Sequence, residues 1–189
     1  STIPAISDSR VMSLYSEQNI LWVGTYEGGL NKVDLITGST KTFRNNSLQG
    51  SSIGANGITS ILRLTSGELL IGTYGGGLSI YIEKSNDFIN LKNNPNDSTT
   101  ISNNRVLAIY QDSLGFVWIG TEMGLNRFYP DTLTFERYFS DRKKSNGFSS
   151  DIPWCFYEDS NHTLWIGTSG GGINLWPIED RVSGSTNIR

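Results

Sequence analysis

The stretch Leu21-Trp22-Val23-Gly24-Thr25 decides the fold of this chain, because three variants of it follow in the same sequence. Its glycine recurs at positions 72, 120 and 167, at intervals of 48, 48 and 47 residues. A repeat of this length, built on short apolar runs, is typical of a β-propeller or a related β array. The three variants are Leu70-Ile71-Gly72-Thr73, Trp118-Ile119-Gly120-Thr121 and Trp165-Ile166-Gly167-Thr168.

Each repeat divides into segments that predict four strands. Short runs rich in β-branched and aromatic residues open the repeats at residues 11–15, 58–62, 106–110 and 154–157. The Trp-Ile-Gly-Thr element is nearly all apolar, which indicates a second strand covered on both faces. A glycine-rich turn precedes the third strand, and residues 41–44, 87–91 and 134–138 alternate as half-exposed outer strands do. Residues 180–186 make a poor outer strand, and no segment predicts an amphipathic helix.

The predicted fold is therefore all-β, with four propeller blades of about 48 residues. Each blade is predicted to be a four-stranded antiparallel sheet, and the blades span approximately residues 6–48, 53–95, 101–142 and 148–189. We expect residues 1–189 to form a single propeller segment that belongs to a larger ring. The tryptophan position of the repeat is expected to pack between blades rather than to stack on a ligand.

Composition excludes several classes of function. A net charge of −3 argues against a nucleic-acid surface, and the basic run at residues 142–144 is interpreted as a solvated turn. The sequence has no run of 18 apolar residues, so we expect no direct insertion into a membrane. Cys155 is the only cysteine, and its apolar neighbours predict a buried, unreactive thiol.

The residues for a catalytic centre are missing from the pattern. His162 is the only histidine, which excludes a site with several histidines, and it is expected to be an exposed turn residue. The adjacent carboxylates of Glu158 and Asp159 should point to opposite sides of a strand end. We therefore predict a protein that is not an enzyme, with no catalytic residue, no metal and no cofactor. A carboxylate pair assembled across blades stays an open alternative.

A binding face is better supported by the sequence. In a propeller, the connectors into each first strand and the turns between second and third strands emerge on the same face. Aromatic rings there could stack on sugars, while arginines and carboxylates bind hydroxyl or acidic groups. The alternative is that each arginine pairs with a nearby acid. The candidate ligand-binding residues are Arg10, Tyr26, Glu27, Tyr74, Arg105, Glu122 and Trp154, with Met123 and Asp151 beside them.

The third repeat carries a family resemblance. Residues 106–121, followed by Gly124-Leu125-Asn126-Arg127-Phe128, resemble the two-component regulator propeller repeat, as does the connector at residues 93–102. This resemblance covers nearly the whole chain. It implies the periplasmic sensor region of hybrid two-component histidine kinases and related bacterial signalling proteins, whose members often respond to oligosaccharides.

The sequence departs from that family in extent. It has four repeats where the family's ring needs roughly seven, and it lacks a sandwich module, a membrane span and a kinase region. The second repeat has Leu64 and Leu70 where the others have an acid and a tryptophan. We therefore expect an excised part of a longer sensor. The resemblance implies a non-catalytic module that binds an oligosaccharide or another small ligand, or relays a signal to the rest of the sensor.

Two other functions stay open, a protein-interaction scaffold without a small ligand and, less favoured, a propeller lyase or hydrolase. An open set of four blades would also expose the apolar sides of its first and last blades. Such patches promote association. The sequence thus predicts that two chains pair as a homodimer that completes an eight-bladed ring, or that the array stacks on neighbouring molecules.

Overall fold

The computed structural model describes residues 5–140 and 147–188. The basic run at residues 142–144 lies outside the described residues. The predicted all-β repeat architecture is confirmed, with one antiparallel sheet for each repeat. The chain divides into two compact units, one formed by residues up to Lys92 with Asn104–Val106, and the other by Asn93–Asn103 with the residues from Leu107 onward.

The first unit contains the first two blades. In each blade the strands pair in chain order, so every strand neighbours the one before it. Blade 1 consists of β1 (Val11–Glu17), β2 (Ile20–Thr25), β3 (Leu30–Asp34) and β4 (Thr40–Phe43), and blade 2 of β5 (Ile58–Arg63), β6 (Leu69–Thr73), β7 (Gly77–Ile82) and β8 (Asp87–Leu91).

The second unit contains blades 3 and 4, except for Val106 at the start of blade 3, which belongs to the first unit. Blade 3 has four strands, and blade 4 has three strands followed by a short helix. The elements are β9 (Val106–Gln111), β10 (Val117–Thr121), β11 (Gly124–Tyr129) and β12 (Thr134–Tyr138), then β13 (Pro153–Glu158), β14 (Leu164–Thr168), β15 (Gly172–Trp176) and α1 (Ile178–Ser183).

The predicted fourth strand of blade 4 was wrong, because α1 occupies that segment. Pro177 sets the chain direction before the first helical turn, and Glu179 and Asp180 complement the positive end of the helix dipole. Gly184 ends the helix with a φ of 74°, a left-handed conformation that favours glycine. Six residues are too few to show a helical period, which is why the sequence pattern did not indicate this helix.

The second strands of blades 2 and 3 lie in the core, as predicted, whereas Trp165, Gly167 and Thr168 of β14 in blade 4 are half-buried. Every residue of β6 and β10 is buried, and Trp22 and Trp118 are at most 1% exposed. Trp22 contacts Tyr81 of blade 2 edge to face, and Trp118 contacts Trp176 of blade 4 with ring centroids 4.9 Å apart. The prediction that this position packs between blades is confirmed for both tryptophans.

The prediction of a buried thiol was wrong, because Cys155 is exposed. Its apolar neighbours suggested a core position. In the β13–β14 ladder, however, Cys155 pairs with Gly167, and it lies on the side of blade 4 that faces away from blade 3. Phe156, the next residue, points the other way and stacks on Tyr110 of blade 3.

Candidate ligand-binding face

Short hydrogen bonds fix the turns that carry the candidate residues. Thr25 and Thr73 each donate a side-chain hydrogen bond of 2.8 Å across the turn, to the carbonyls of Gly29 and Gly77. The next residue in each blade, Tyr26 or Tyr74, donates its backbone N–H to the segment that leads into the first strand. The connector and the turn of one blade therefore lie side by side.

Arg10 is held by two acids. Its guanidinium lies 3.2 Å from Asp8 Oδ2 and 2.6 Å from Glu27 Oε2, and Arg10 Cζ stands 4.6 Å from the centre of the Tyr26 ring. Hydrogen bonds from the backbone and side chain of Arg10 hold the pKa of Asp8 below its usual value. This arrangement agrees with the alternative interpretation, in which Arg10 is the partner of nearby acids.

The other predicted arginine, Arg105, lies over the ring of Tyr74. Arg105 pairs with Tyr74 in an isolated β-bridge, and its guanidinium carbon lies 4.9 Å from the tyrosine ring centre. The backbone N–H groups of Gly75 and Gly77 donate to the carbonyl of Asn104 at 3.0 and 2.8 Å. Each exposed tyrosine of this unit therefore has an arginine over its ring.

A groove of about 280 Å³ runs between the two tyrosine turns of the first unit. Tyr26 and Tyr74 are 43% and 41% exposed, and Glu27 lies beside them. Asn56 joins the lining, and its carbonyl accepts the N–H of Gly29 while its Oδ1 accepts the N–H of Asn45. The groove thus combines two aromatic rings with an acid and an amide on a fixed backbone.

The other predicted residues belong to the second unit. Glu122 is half-buried in the turn after β10, and Met123 next to it is 56% exposed. Asp151 accepts the backbone N–H of Ser140 through Oδ1 and that of Gly124 through its carbonyl. Trp154 is 59% exposed. Of the seven candidates, five therefore lie in the first unit and two, Glu122 and Trp154, in the second.

The lone histidine lies in a hairpin turn with a φ of 57°. His162 Nδ1 is 2.8 Å from Ser113 Oγ, and that hydroxyl donates to Glu158 Oε1 at 3.0 Å. In a serine triad the carboxylate orients the histidine, whereas Glu158 here binds the serine and Arg181. Over the described ranges, no group of three or more His, Cys, Asp or Glu side chains could hold a metal ion.

Three asparagines of the third strands have a structural role that was not predicted from the sequence. Asn31, Asn126 and Asn174 are at most 2% exposed, and each accepts the N–H and binds the hydroxyl of a connector serine. These bonds fix the connector that leads into each blade. The signal was present as an apolar residue followed by Asn after each glycine turn, with Leu78-Ser79 as the exception. The three serines are Ser7, Ser102 and Ser149.

In three repeats, the tryptophan indole donates a hydrogen bond to an acid at the start of the hairpin. Trp118 and Trp165 donate Nε1–H to Asp112 and Asp159 at 2.8 Å, and Trp22 donates to Glu17 at 2.9 Å. Asp112 also accepts the N–H groups at the hairpin tip, which shapes the turn. The acid and the tryptophan of the repeat therefore form one structural pair.

The wholly buried Arg181 of α1 completes a charged cluster in the second unit. It binds Asp112 Oδ2 at 2.5 Å and Glu158 Oε1 at 2.7 Å. Burial alone would raise the pKa of Glu158, but the hydrogen bonds from Arg181 and Ser113 lower it below its usual value. Sequence reasoning did not detect this arginine, because its partners lie 69 and 23 residues away.

The solved structures that are similar to this chain have propeller-type folds. The extracellular domain of a B. thetaiotaomicron protein described as a hybrid two component system is 21% identical, with a TM-score of 0.60. The match covers 89% of this chain and 27% of that domain, so the chain spans about a quarter of its length. The computationally designed Ika4 protein is 14% identical with a TM-score of 0.63, over 94% of this chain and 98% of Ika4.

An enzyme shares the fold at similar distance. Virginiamycin B lyase from Staphylococcus aureus is 14% identical with a TM-score of 0.57, over 89% of this chain and 55% of the lyase. At these identities the likeness concerns the fold alone. No curated protein sequence matches the chain significantly. In the described part of the chain, no helix is long and apolar enough to cross a membrane.

The family comparison falls on the second unit. Two segments, residues 100–123 and 147–170, match the family described as two component regulator propeller. Each segment runs from the end of a connector through the first two strands to the glycine turn, which is the part that carries the acid, the tryptophan and the repeat glycine. The resemblance predicted from the sequence is confirmed for these two segments, which match the two component regulator propeller family.

Proposed function

We propose that this chain is a non-catalytic part of the extracytoplasmic, periplasmic sensor region of a bacterial two-component or related signalling protein. Two facts support the proposal, the family of its repeats and the fold it shares with the extracellular domain of a system of that kind. A shared lyase fold at 14% identity gives no support to catalysis.

We further propose that the groove between Tyr26 and Tyr74 binds an oligosaccharide. The observation that carries this proposal is the pair of half-exposed rings that flank one groove, with Glu27 and Asn56 between them. Sugar rings present apolar C–H faces that stack on tyrosine, while their hydroxyls bind carboxylates and amides. Arg10 and Arg105 then hold the rings in place by cation–π contact rather than bind the sugar themselves.

Binding is tested on this chain by calorimetric titration with a panel of neutral and acidic oligosaccharides. We expect one class to bind, and Tyr26→Ala or Tyr74→Ala to weaken it about 5- to 10-fold each, in line with about 1 kcal/mol per aromatic contact. Tyr26→Phe and Tyr74→Phe are the matched controls, because they keep the rings. Equal binding by the alanine variants, or no binding by any sugar of the panel, would show that this groove is not the site.

Location is tested separately on the parent protein in its own cell. If the region is extracytoplasmic, protease added to intact spheroplasts cleaves it, whereas a cytoplasmic marker protein survives. Protection of the region until the cells are lysed would contradict the sensor location without affecting the groove proposal.

The second candidate function is a protein-interaction scaffold. The observation that favours it is a pair of adjacent exposed apolar side chains in the turn after β3, Leu35 and Ile36, which are 52% and 74% exposed. Isolated exposed residues are ordinary, but contiguous ones indicate an interaction surface.

A further inference from the structure

One position of the repeat determines how open the groove between Tyr26 and Tyr74 is. It is the position directly before each first strand, which holds Arg10, Gly57, Arg105 and Ile152 in the four repeats. The second repeat therefore differs from the others in having no side chain there. Backbone conformation does not explain this glycine, because Gly57 is not one of the residues with a positive φ.

Gly57 forms the floor of the groove. Tyr26 donates its backbone N–H to the carbonyl of Arg10 at 2.9 Å. Tyr74 donates in the same way to the carbonyl of Gly57 at 2.8 Å, so Gly57 and Arg10 are equivalent in structure as well as in sequence. A Cβ added at Gly57 would lie 3.0 Å from the Tyr26 carbonyl oxygen and 3.1 Å from Tyr74 Cβ. Any side chain at this position would therefore start between the two tyrosines.

The equivalent arginines of the neighbouring repeats lie over the tyrosine rings. Arg10 Cζ is 4.6 Å from the centre of the Tyr26 ring, and Arg105 Cζ is 4.9 Å from the centre of the Tyr74 ring. Backbone contacts place these residues in one row, in the order Arg10, Tyr26, Gly57, Tyr74 and Arg105. Guanidinium groups and rings alternate along this row except at its centre, where Gly57 leaves room between the two tyrosines.

The charge beside the groove favours a cation at the centre of the row. Arg10 binds both Asp8 and Glu27, so these three side chains together carry one net negative charge. Glu27 lines the groove, and 69% of its side chain is accessible. A carboxylate and the faces of aromatic rings attract the same type of group, a positively charged nitrogen. The centre of the row therefore matches an ammonium or a guanidinium.

We propose that the groove binds a cationic nitrogen group of its ligand, an ammonium or a guanidinium, over Gly57 and between Tyr26 and Tyr74. The ligand then supplies the type of group that Arg10 supplies at the equivalent position of the first repeat. Combined with the proposed oligosaccharide, on which this step rests, the ligand is a sugar chain with free amino groups. Cation–π contact and the Glu27 carboxylate favour it over the same sugar in a neutral form.

Matched sugars test the role of charge. A chitosan oligosaccharide and a chitin oligosaccharide of equal length have the same backbone, but the amines of the chitin form are acetylated and uncharged. Calorimetric titration at about pH 6, where such an amine is protonated, should give at least ~10-fold tighter binding of the chitosan form. Equal or tighter binding of the chitin form would overturn the cation site and leave the sugar groove in place.

Two substitutions locate the cation. Gly57→Arg places the chain's own guanidinium between the rings and should weaken binding of the chitosan oligosaccharide at least ~30-fold. Leu48→Arg, at a loop residue that is 95% exposed, adds the same charge elsewhere and should leave binding unchanged. Glu27→Gln keeps the side-chain size and should weaken binding about 3-fold, with a smaller dependence on salt. If either groove variant is folded by thermal unfolding and binds as the wild type does, the proposal is overturned.

A ligand without a sugar separates this inference from the proposed function. Agmatine carries a guanidinium and an ammonium on a short apolar chain, and it should bind the wild-type chain weakly and Gly57→Arg not at all. If agmatine binds in this way and no oligosaccharide does, the cation site is supported with a guanidinium ligand as its source, and the sugar proposal fails. If neither agmatine nor the chitosan oligosaccharide binds, both proposals are overturned.

Discussion

Blades 2 and 3 fill the same two buried positions with different types of residue, apolar in blade 2 and hydrogen-bonded in blade 3. Their first hairpins have the same backbone bonds, since Leu64 and Asp112 each donate an N–H across the turn at 2.9 and 3.0 Å. Blade 2 has Leu64 at the acid position and Leu70 at the tryptophan position, and both are at most 3% exposed. Blade 3 has Asp112 and Trp118, joined by a hydrogen bond of 2.8 Å.

The difference shows that the acid and the tryptophan are needed together or not at all. A buried indole N–H requires an acceptor, and a buried carboxylate requires donors, whereas two leucines require neither. Blade 3 adds a second requirement, because Asp112 also neutralises the buried Arg181. Two leucines in blade 3, as in blade 2, would leave the buried Arg181 without this carboxylate.

Removal of this carboxylate should give the largest effect. Asp112→Ala leaves Arg181 with one carboxylate fewer and the Trp118 indole without its acceptor, and we expect a loss of about 3–5 kcal/mol in the free energy of unfolding. Urea unfolding followed by circular dichroism measures it. Asp159→Ala is the control, since Asp159 binds Trp165 but no arginine among the described contacts, and it should cost less. Equal losses would show that Arg181 is not what distinguishes blade 3.

Transplanting the pair into blade 2 should give an intermediate effect. Leu70→Trp alone overpacks a fully buried position and should cost about 1–3 kcal/mol. Adding Leu64→Asp supplies an acceptor for the indole, so the double variant should be more stable than the two single losses predict, by about 1 kcal/mol. A double-mutant cycle from urea unfolding measures this coupling. Strict additivity would mean that the hairpin of blade 2 cannot hold the pair.

Blade 1 offers the smallest effect, at the same repeat position. Hydrogen bonds from Arg63 lower the pKa of Glu17 despite its partial burial, and Trp22 adds another. Because the folded pKa lies below the unfolded value, this stabilisation is present above about pH 4.3 and is lost as the pH falls through the lowered folded pKa. Glu17→Gln should therefore cost up to about 1 kcal/mol at pH 7 and less at pH 3.

The comparison with Glu83→Gln isolates this term, because Glu83 is more exposed than Glu17, with 69% against 23% of the side chain accessible. Unfolding by urea at both pH values is the measurement. If Glu17→Gln destabilises the chain equally at pH 7 and pH 3, the Glu17–Arg63 pair does not contribute through charge.

The sequence determined the repeat and most of the strands. A glycine at a near-constant spacing within apolar runs is a local pattern, and the strand ladders of the first three blades follow it. The turns and connectors that hold Tyr26, Tyr74 and the two arginines could be located for the same reason, since repeat position sets their place in a blade. The sequence left undecided whether Arg10 pairs with a nearby acid such as Asp8, because an ion pair depends on the positions of both side chains.

Only the tertiary structure decided which equivalent positions differ. Leu30 and Ile173 have the same place in the repeat and similar chemistry, yet one is 0% and the other 62% exposed, because burial depends on the neighbouring blade and not on the residue. Cys155 is exposed for the same reason. Arg181 joins acids from distant hairpins through a helix of six residues, a contact that no local pattern encodes. Local periodicity fixes backbone form, whereas burial and ion pairing are set by long-range contacts.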